Sequence, residues 1–452
     1  MRRIGTLCAA ALLTACGGGG GGGGGGASTP PDTGGADCSE TAIKEFVLGR
    51  MRDVYLWADR LPPDIDVADF DTAESLLAEL RSFSPAGEDG RPVDRFSFIG
   101  SAAQDAQFFG EGQFAGFGFS SRFEAENDLR FTRVFADSPA GRAGFERGQR
   151  ILEIDGRSIA EIQAAEGINA AFGPSEVGVT RLFRIRELDG SEFEVSVTKD
   201  VVTIDPVPQR RIVETNALRA GYVEMSQFIG TAEGAGGPLD QAFSEFENAF
   251  VTDLVVDLRY NGGGLVRTAE LLGDYLGWGA APGEVFSRTL FNAANAARND
   301  DEFFEFVDAS PVLARIVFIA TGATASASEL VINGLAPHVQ VDIVGADTFG
   351  KPVGQTGEVL DECDLILRPV AFETVNALDE GDFFDGLPAD CPAADDIRFP
   401  IGAADDPSLQ AALDLLSTGS CPAAVAAEKP AVPQYEYAPE PGPPWRSIDG
   451  VF

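Results

Sequence analysis

Histidine and lysine are almost missing from this chain. His338 is the single histidine, and the lysines are Lys44, Lys199, Lys351 and Lys429, with arginine supplying the other basic side chains. One histidine cannot build a multi-histidine metal site. The four cysteines that follow the first stretch of chain, Cys38, Cys363, Cys391 and Cys421, show no CxxC spacing, so a zinc site has little to stand on. Positive charge is scarce as a whole: 71 acidic against 33 basic residues give a net charge of -38. A nucleic acid would be repelled at every phosphate, and an anionic membrane surface likewise, which removes both as partners. The acidity reads as a well-solvated, self-repelling surface, since no calcium-loop spacing accompanies it.

What is present begins with a secretion pattern: Arg2 and Arg3, an apolar run over residues 7–13 too short to span a bilayer, and Leu13-Thr14-Ala15-Cys16. That ending resembles a bacterial lipobox and implies lipid on Cys16. Ten glycines follow at once, residues 17–26, as a flexible tether would. No aspartate follows Cys16, so nothing in the tether argues for inner-membrane retention. The expected location is the cell envelope, lipid-anchored in the outer membrane and facing the periplasm or the surface. An even number of cysteines in an exported chain implies disulfides with three possible connectivities; Cys363 with Cys391 and Cys38 with Cys421 are the expected pairs.

The length and the 44% hydrophobic content allow two to four domains with real cores. Residues 38–105 carry helical periodicity, as in Ile43, Phe46-Val47, Met51, Val54-Tyr55 and Trp57. Over 106–204 the pattern changes to short strands and glycine turns, with 151–156 reading as a strand into a turn and 193–197 as a closing strand. Over 205–421 buried apolar strands such as 254–256 and 316–320 lead into glycine turns and helices, the grammar of a parallel α/β core. Residues 422–452 are rich in Pro and Ala and read as a tail.

The chemistry is carried by Thr324-Ala325-Ser326-Ala327-Ser328-Glu329, where the 316–320 strand gives way to a helix ending near Pro337. A serine at a helix start faces unpaired N–H groups and a dipole that favour negative charge, which suits a nucleophile whose attack creates an oxyanion. The same residues also make an ordinary capping box, so alone they decide nothing. The base decides. Histidine is the usual partner of serine, but His338 stands beyond the far end of the helix that Ser326 begins, out of hydrogen-bond reach, and reads as an exposed helix-end residue. Arginine cannot give up its proton, whereas a buried lysine can. In the serine-bearing region the lysine is Lys351, within Thr348-Phe349-Gly350-Lys351-Pro352-Val353-Gly354-Gln355.

With these motifs the chain resembles the carboxyl-terminal processing, or tail-specific, proteases over most of residues 38–420. The resemblance implies an α/β multidomain protein with a crotonase-like core, acting as a serine endopeptidase on protein or peptide substrates recognised at their C-termini, with no metal or organic cofactor. It maps the nucleophile onto Ser326, the base onto Lys351, and onto Gln355 the amide that holds the lysine toward the serine; by its residues alone Gln355 could equally be a surface amide. The family's glycine turn is met by Asp257-Leu258-Arg259-Tyr260-Asn261-Gly262-Gly263-Gly264, which assigns the oxyanion hole to the N–H groups of Gly263 and Ala327. Tyr55-Leu56-Trp57 and Asp94-Arg95-Phe96-Ser97 also look like family segments, with no catalytic role attached.

The β-rich region resembles a PDZ domain. Gly116-Phe117-Gly118-Phe119 matches the loop that takes a peptide's terminal carboxylate, and Ser138-Pro139-Ala140 and Ala143-Gly144 match later turns, with Gln149 where aspartate is usual. Its expected work is β-augmentation by substrate C-termini; a packing module whose glycines merely turn the chain is the alternative. The organisation expected is therefore a lipoprotein signal at 1–15, tether at 16–37, helical domain at 38–105, PDZ-like domain at 106–204, Ser/Lys catalytic domain at 205–421 and tail at 422–452. A non-catalytic peptide-binding envelope lipoprotein of the same fold is the rival.

Overall fold

Val47, Leu48, Met51 and Val54 recur on one side of helix Glu40–Val54, which starts where the Ser39 hydroxyl accepts the Ala42 N–H. Helix Ala73–Arg81, opened by a Thr72/Ser75 capping box, packs against it. The cluster they form also takes in Val353, Leu367 and Val370, so this helical region closes on chain more than 250 residues downstream. Strand Phe98–Ser101 continues the join by pairing antiparallel with Leu365–Arg368. The computed structural model describes residues 37–215 and 218–421. The signal at 1–15, Cys16, the tether to residue 36 and the 422–452 tail lie outside the described residues.

The β-rich region forms an antiparallel sheet in the order Phe119–Ala125, Asp128–Val134, Arg150–Ile154, Thr180–Arg186, Glu192–Thr198. Its core joins isoleucines to a phenylalanine group: Phe117, Phe119, Phe131, Phe145, Phe172 and Phe183 pack with edge and stacked contacts. Strand Phe119–Ala125 lies at the sheet's edge, with Asp128–Val134 on one side and no described strand on the other.

The third region is built on a sheet in the order Gln209–Glu214, Arg219–Glu224, Asp253–Asp257, Arg315–Ala320, Gln340–Gly345, Cys391–Pro392. The first pair is antiparallel and the rest are parallel. Helices Pro238–Asn248, Val266–Gly277 and Ala327–Leu335 cover one face, and Pro407–Thr418 covers the other. Continuous burial on both faces is why Asp253–Asp257 and Arg315–Ala320 read as unbroken apolar runs. A second, antiparallel sheet of Asp300–Phe303, Val285–Phe291, Val370–Asn376 and Val353–Gln355 was not anticipated.

Two expectations are corrected. The disulfides join Cys38 to Cys363 and Cys391 to Cys421, not Cys363 to Cys391 and Cys38 to Cys421. Cys363 sits beside the sheet shared with Phe98–Ser101, whereas Cys391 lies on the edge strand of the parallel sheet. A bridge requires Cα atoms about 5.5 Å apart, which sequence spacing does not report. His338 is half-buried instead of exposed: its Nε2 lies 2.8 Å from the Val285 carbonyl, and its ring meets Phe304 edge-on. Among the described residues no helix is long and apolar enough to cross a membrane.

Candidate active site

Strands Asp253–Asp257 and Arg315–Ala320 are parallel neighbours, so the turns that follow them emerge at the same end of the sheet. They interlock at backbone carbonyls. The Asn261 carbonyl accepts the Ala325 N–H at 3.1 Å and the Ser328 hydroxyl at 3.0 Å, and the Leu258 carbonyl accepts the Thr324 hydroxyl at 2.8 Å. The Asn261 side chain donates to the Met225 carbonyl at 2.8 Å. Within this lattice Ser326 and Tyr260 are held at φ 57° and φ 62°, a region that costs a non-glycine residue about 1–3 kcal/mol and persists where the surroundings dictate it. Gly263, at φ 101°, must be glycine: a Cβ there would lie 2.8 Å from Ser326 Cβ and 2.9 Å from Ala327 N.

Glu329 ties the serine turn to the lysine loop. Its fully buried carboxylate accepts the Ser326 N–H and the Lys351 N–H on one oxygen, each at 2.8 Å, and the Gly350 N–H at 2.7 Å and the Thr348 hydroxyl at 2.5 Å on the other. Burial pushes this carboxyl up, and the four donors work against that push.

Lys351 Nζ donates to Gln355 Oε1 at 2.6 Å and lies 5.4 Å from the centre of the Phe96 ring. The Gln355 amide has one possible orientation, because its Nε2 donates to the Phe96 carbonyl at 2.8 Å and the Arg368 carbonyl at 2.9 Å. Burial lowers the lysine to about 8; Asp94 and Glu329 oppose the shift and Arg368 assists it. A lysine in this state loses its proton close to neutral pH. Ser326, Lys351 and Gln355 thus share one corner of the fold, although no hydrogen bond among the described residues joins Ser326 to Lys351.

The expected oxyanion donors are the N–H groups of Gly263 and Ala327. Gly263 does lie against Ser326 and Ala327, but its N–H donates to Asn261 Oδ1 at 2.9 Å, because the asparagine side chain folds back over its own turn. The Ala327 N–H is the first amide of helix Ala327–Leu335. Loop residues Phe117 and Phe119 are fully buried, Gly116 ends a strand paired with Asp200, and Gly118 has φ 86°. A Cβ on Gly118 would lie 2.1 Å from that of Ser138.

Several residues of the site had no role assigned from sequence. Arg259 is 1% exposed and donates to Asp257 at 2.6 Å, Asp406 at 2.5 Å and Asp395 at 3.2 Å. Arg122 and Arg147 of the β-rich region reach the same Asp395, at 2.8 and 2.6 Å, and the Tyr260 hydroxyl bonds to it as well. Burial raises the Asp395 carboxyl, but Arg147, Arg122 and Arg259 outweigh it and hold it well below the carboxylate range. Glu329 was visible only as the capping-box partner three residues after Ser326, and Asp395 and Asp406 carried no local signal.

Residues 219–379 match peptidase family S41, and residues 42–98 match the peptidase S41 N-terminal domain. A carboxy-terminal-processing protease of Bartonella bacilliformis is 27% identical over 266 residues, 56% of this chain and 57% of that protein. A carboxyl-terminal-processing protease of Picosynechococcus is 26% identical over 315 residues, 68% of this chain and 71% of that protein. The chain thus spans little more than half of the Bartonella relative. A crystal structure from Bacteroides fragilis assigned as an S41 protease shares the fold with TM-score 0.64 at 24% identity, covering 83% of this chain and 97% of its own.

Proposed function

We propose that this chain, whose residues 219–379 match peptidase family S41, is a serine endopeptidase that cleaves unfolded or C-terminally recognised proteins of the cell envelope. The observation that carries the reading is Lys351, a lysine lowered to about 8 and held by Gln355, on a loop that shares Glu329 with the backbone of Ser326. Neutral Lys351 gives one N–H to Gln355, which leaves its lone pair to take the Ser326 proton. Ser326 then attacks the peptide carbonyl, and the N–H groups of Ala327 and Gly263 receive the oxyanion, the latter as Asn261 releases it. Lys351 returns the proton to the leaving amine, and water resolves the acyl-enzyme by the same route. No step calls for a metal.

The core is read as crotonase-like and the 106–204 region as PDZ-like. The open edge of Phe119–Ala125, beginning at the 116–119 loop, supports capture of a substrate C-terminus as an added strand. The Leu13-Thr14-Ala15-Cys16 ending and the glycine run support anchoring by lipid at Cys16 in the envelope. The test is turnover of an unfolded protein with a free or an amidated C-terminus. Wild type should cleave both, the amidated one more slowly, and Ser326→Ala neither; a folded Ser326→Ala protein with substantial turnover would falsify the reading.

A further inference from the structure

We infer that the turn 94–97 of the N-terminal helical region is the platform on which Lys351 is set, with Asp94, Arg95 and Phe96 as positioning residues for the reaction. The inference rests on the assignment of Lys351 as the base.

Asp94 makes the turn rigid. It is 3% exposed, and its carboxylate accepts the N–H groups of Phe96 and Ser97 at 3.0 and 2.9 Å, the Tyr55 hydroxyl at 2.8 Å and the Ser97 hydroxyl at 2.7 Å. Its own N–H goes to the Ser84 hydroxyl at 3.0 Å. With its inner side closed, the turn directs its other groups at the lysine. The Phe96 ring lies under Nζ, and the Phe96 carbonyl fixes the Gln355 amide. Arg95 Nη2 donates to the carbonyls of Phe349 at 2.9 Å and Gly350 at 3.2 Å, the two residues before Lys351, and to Phe384 at 2.9 Å. The Ser97 hydroxyl accepts the Val370 N–H at 2.9 Å, and the Val370 carbonyl accepts the Leu56 N–H at 2.9 Å. One turn therefore supplies the ring beneath the base and touches the chain before the base, the amide that orients it and the strand behind it. A turn that served folding alone need not combine that ring with all three contacts.

The charge of Asp94 also acts on the base. The charged groups facing Lys351 are Asp94 from this turn, Glu329 from the helix start and Arg368 from strand Leu365–Arg368, with the Arg95 guanidinium over the rings of Phe96 and Phe349. Burial drives the lysine down, Asp94 and Glu329 favour its charged form, and Arg368 disfavours it. Neutralising Asp94 and neutralising Arg368 must therefore move the lysine in opposite directions, which loosened packing cannot do.

The experiment is the pH dependence of kcat/KM on a peptide substrate for the full chain. In Asp94→Asn the amide oxygen still serves the two backbone N–H groups, and the Tyr55 and Ser97 hydroxyls can reverse to accept from its NH2. The acid limb should move to lower pH by roughly half a unit or more, and in Arg368→Gln to higher pH. Arg95 is exposed, so Arg95→Ala should fold, with kcat reduced roughly ten- to a hundredfold, KM within about twofold, and partial recovery in Arg95→Lys. An unmoved limb in Asp94→Asn, or an unchanged kcat in Arg95→Ala, overturns the platform; if Asp94→Asn does not fold, the Arg95 pair decides. Lys351→Met separates the two levels. If it is inactive while the Asp94 and Arg95 variants behave as wild type, the base stands and the platform falls; if it is active, both fall.

Discussion

Lys351 is under two opposed demands, since the burial that brings its loss of a proton close to neutral pH also makes it a cost to the fold. Its pKa lies near 8 in the folded chain, against about 10.4 for an unperturbed lysine. Between these values the unfolded chain holds a proton that the folded one has released, so stability rises with pH through this window. Below pH 8 the full cost of burying the ammonium is present. Lys351→Met removes that cost, so its effect on stability should be more favourable at pH 7 than at pH 10, by on the order of 1–3 kcal/mol. Thermal melts of both proteins at the two pH values measure this difference, and any constant loss from an unpartnered Gln355 cancels. An equal effect at both would mean that Lys351 keeps an ordinary pKa.

At the scale of elements, the turn after Asp253–Asp257 is held by Arg259 against three carboxylates, one in its own motif and two, Asp395 and Asp406, from the chain leading to the last helix. Arg259→Met leaves those buried charges without their shared partner, and a loss of about 3–5 kcal/mol is expected in denaturant unfolding. Arg259→Lys should recover only part of it, because an ammonium lacks the planar fork. A loss under 1 kcal/mol in Arg259→Met would show that the network adds little to the turn. The same elements show what a sequence can and cannot disclose. Leu254, Val255 and Val256 and the 316–320 run were legible because strands buried on both faces leave a continuous apolar trace. Strand Asp300–Phe303, with one half-buried residue among exposed ones, and the three-residue Val353–Gln355 leave almost none. Ser326, Lys351 and Gln355 stood out through local motifs, whereas Asp395 became meaningful only once folding had brought Arg122, Arg147 and Arg259 around it. The 94–97 turn was recognisable as a segment, but its contact with Gln355 spans 259 residues.

At the scale of the whole molecule, the corner that holds Ser326 and Lys351 draws on every described region. The parallel sheet presents the serine turn and the glycine turn, the N-terminal helical region meets the lysine loop, and the β-rich region contributes the arginines that meet Tyr260 and Asp395. The Cys38–Cys363 bridge fastens the first helix to the chain just beyond Gln355. The central claim, that one lysine serves as the base in this assembly, is tested most directly by turnover of an unfolded protein by the full chain carrying Lys351→Arg, beside wild type and Ser326→Ala. Arginine preserves the charge and most of the length but cannot release a proton. General-base assistance is worth ~10²- to 10⁴-fold, so Lys351→Arg should retain its thermal melt and fall to nearly the level of Ser326→Ala. A folded Lys351→Arg protein that turns over substrate within tenfold of wild type would contradict the account.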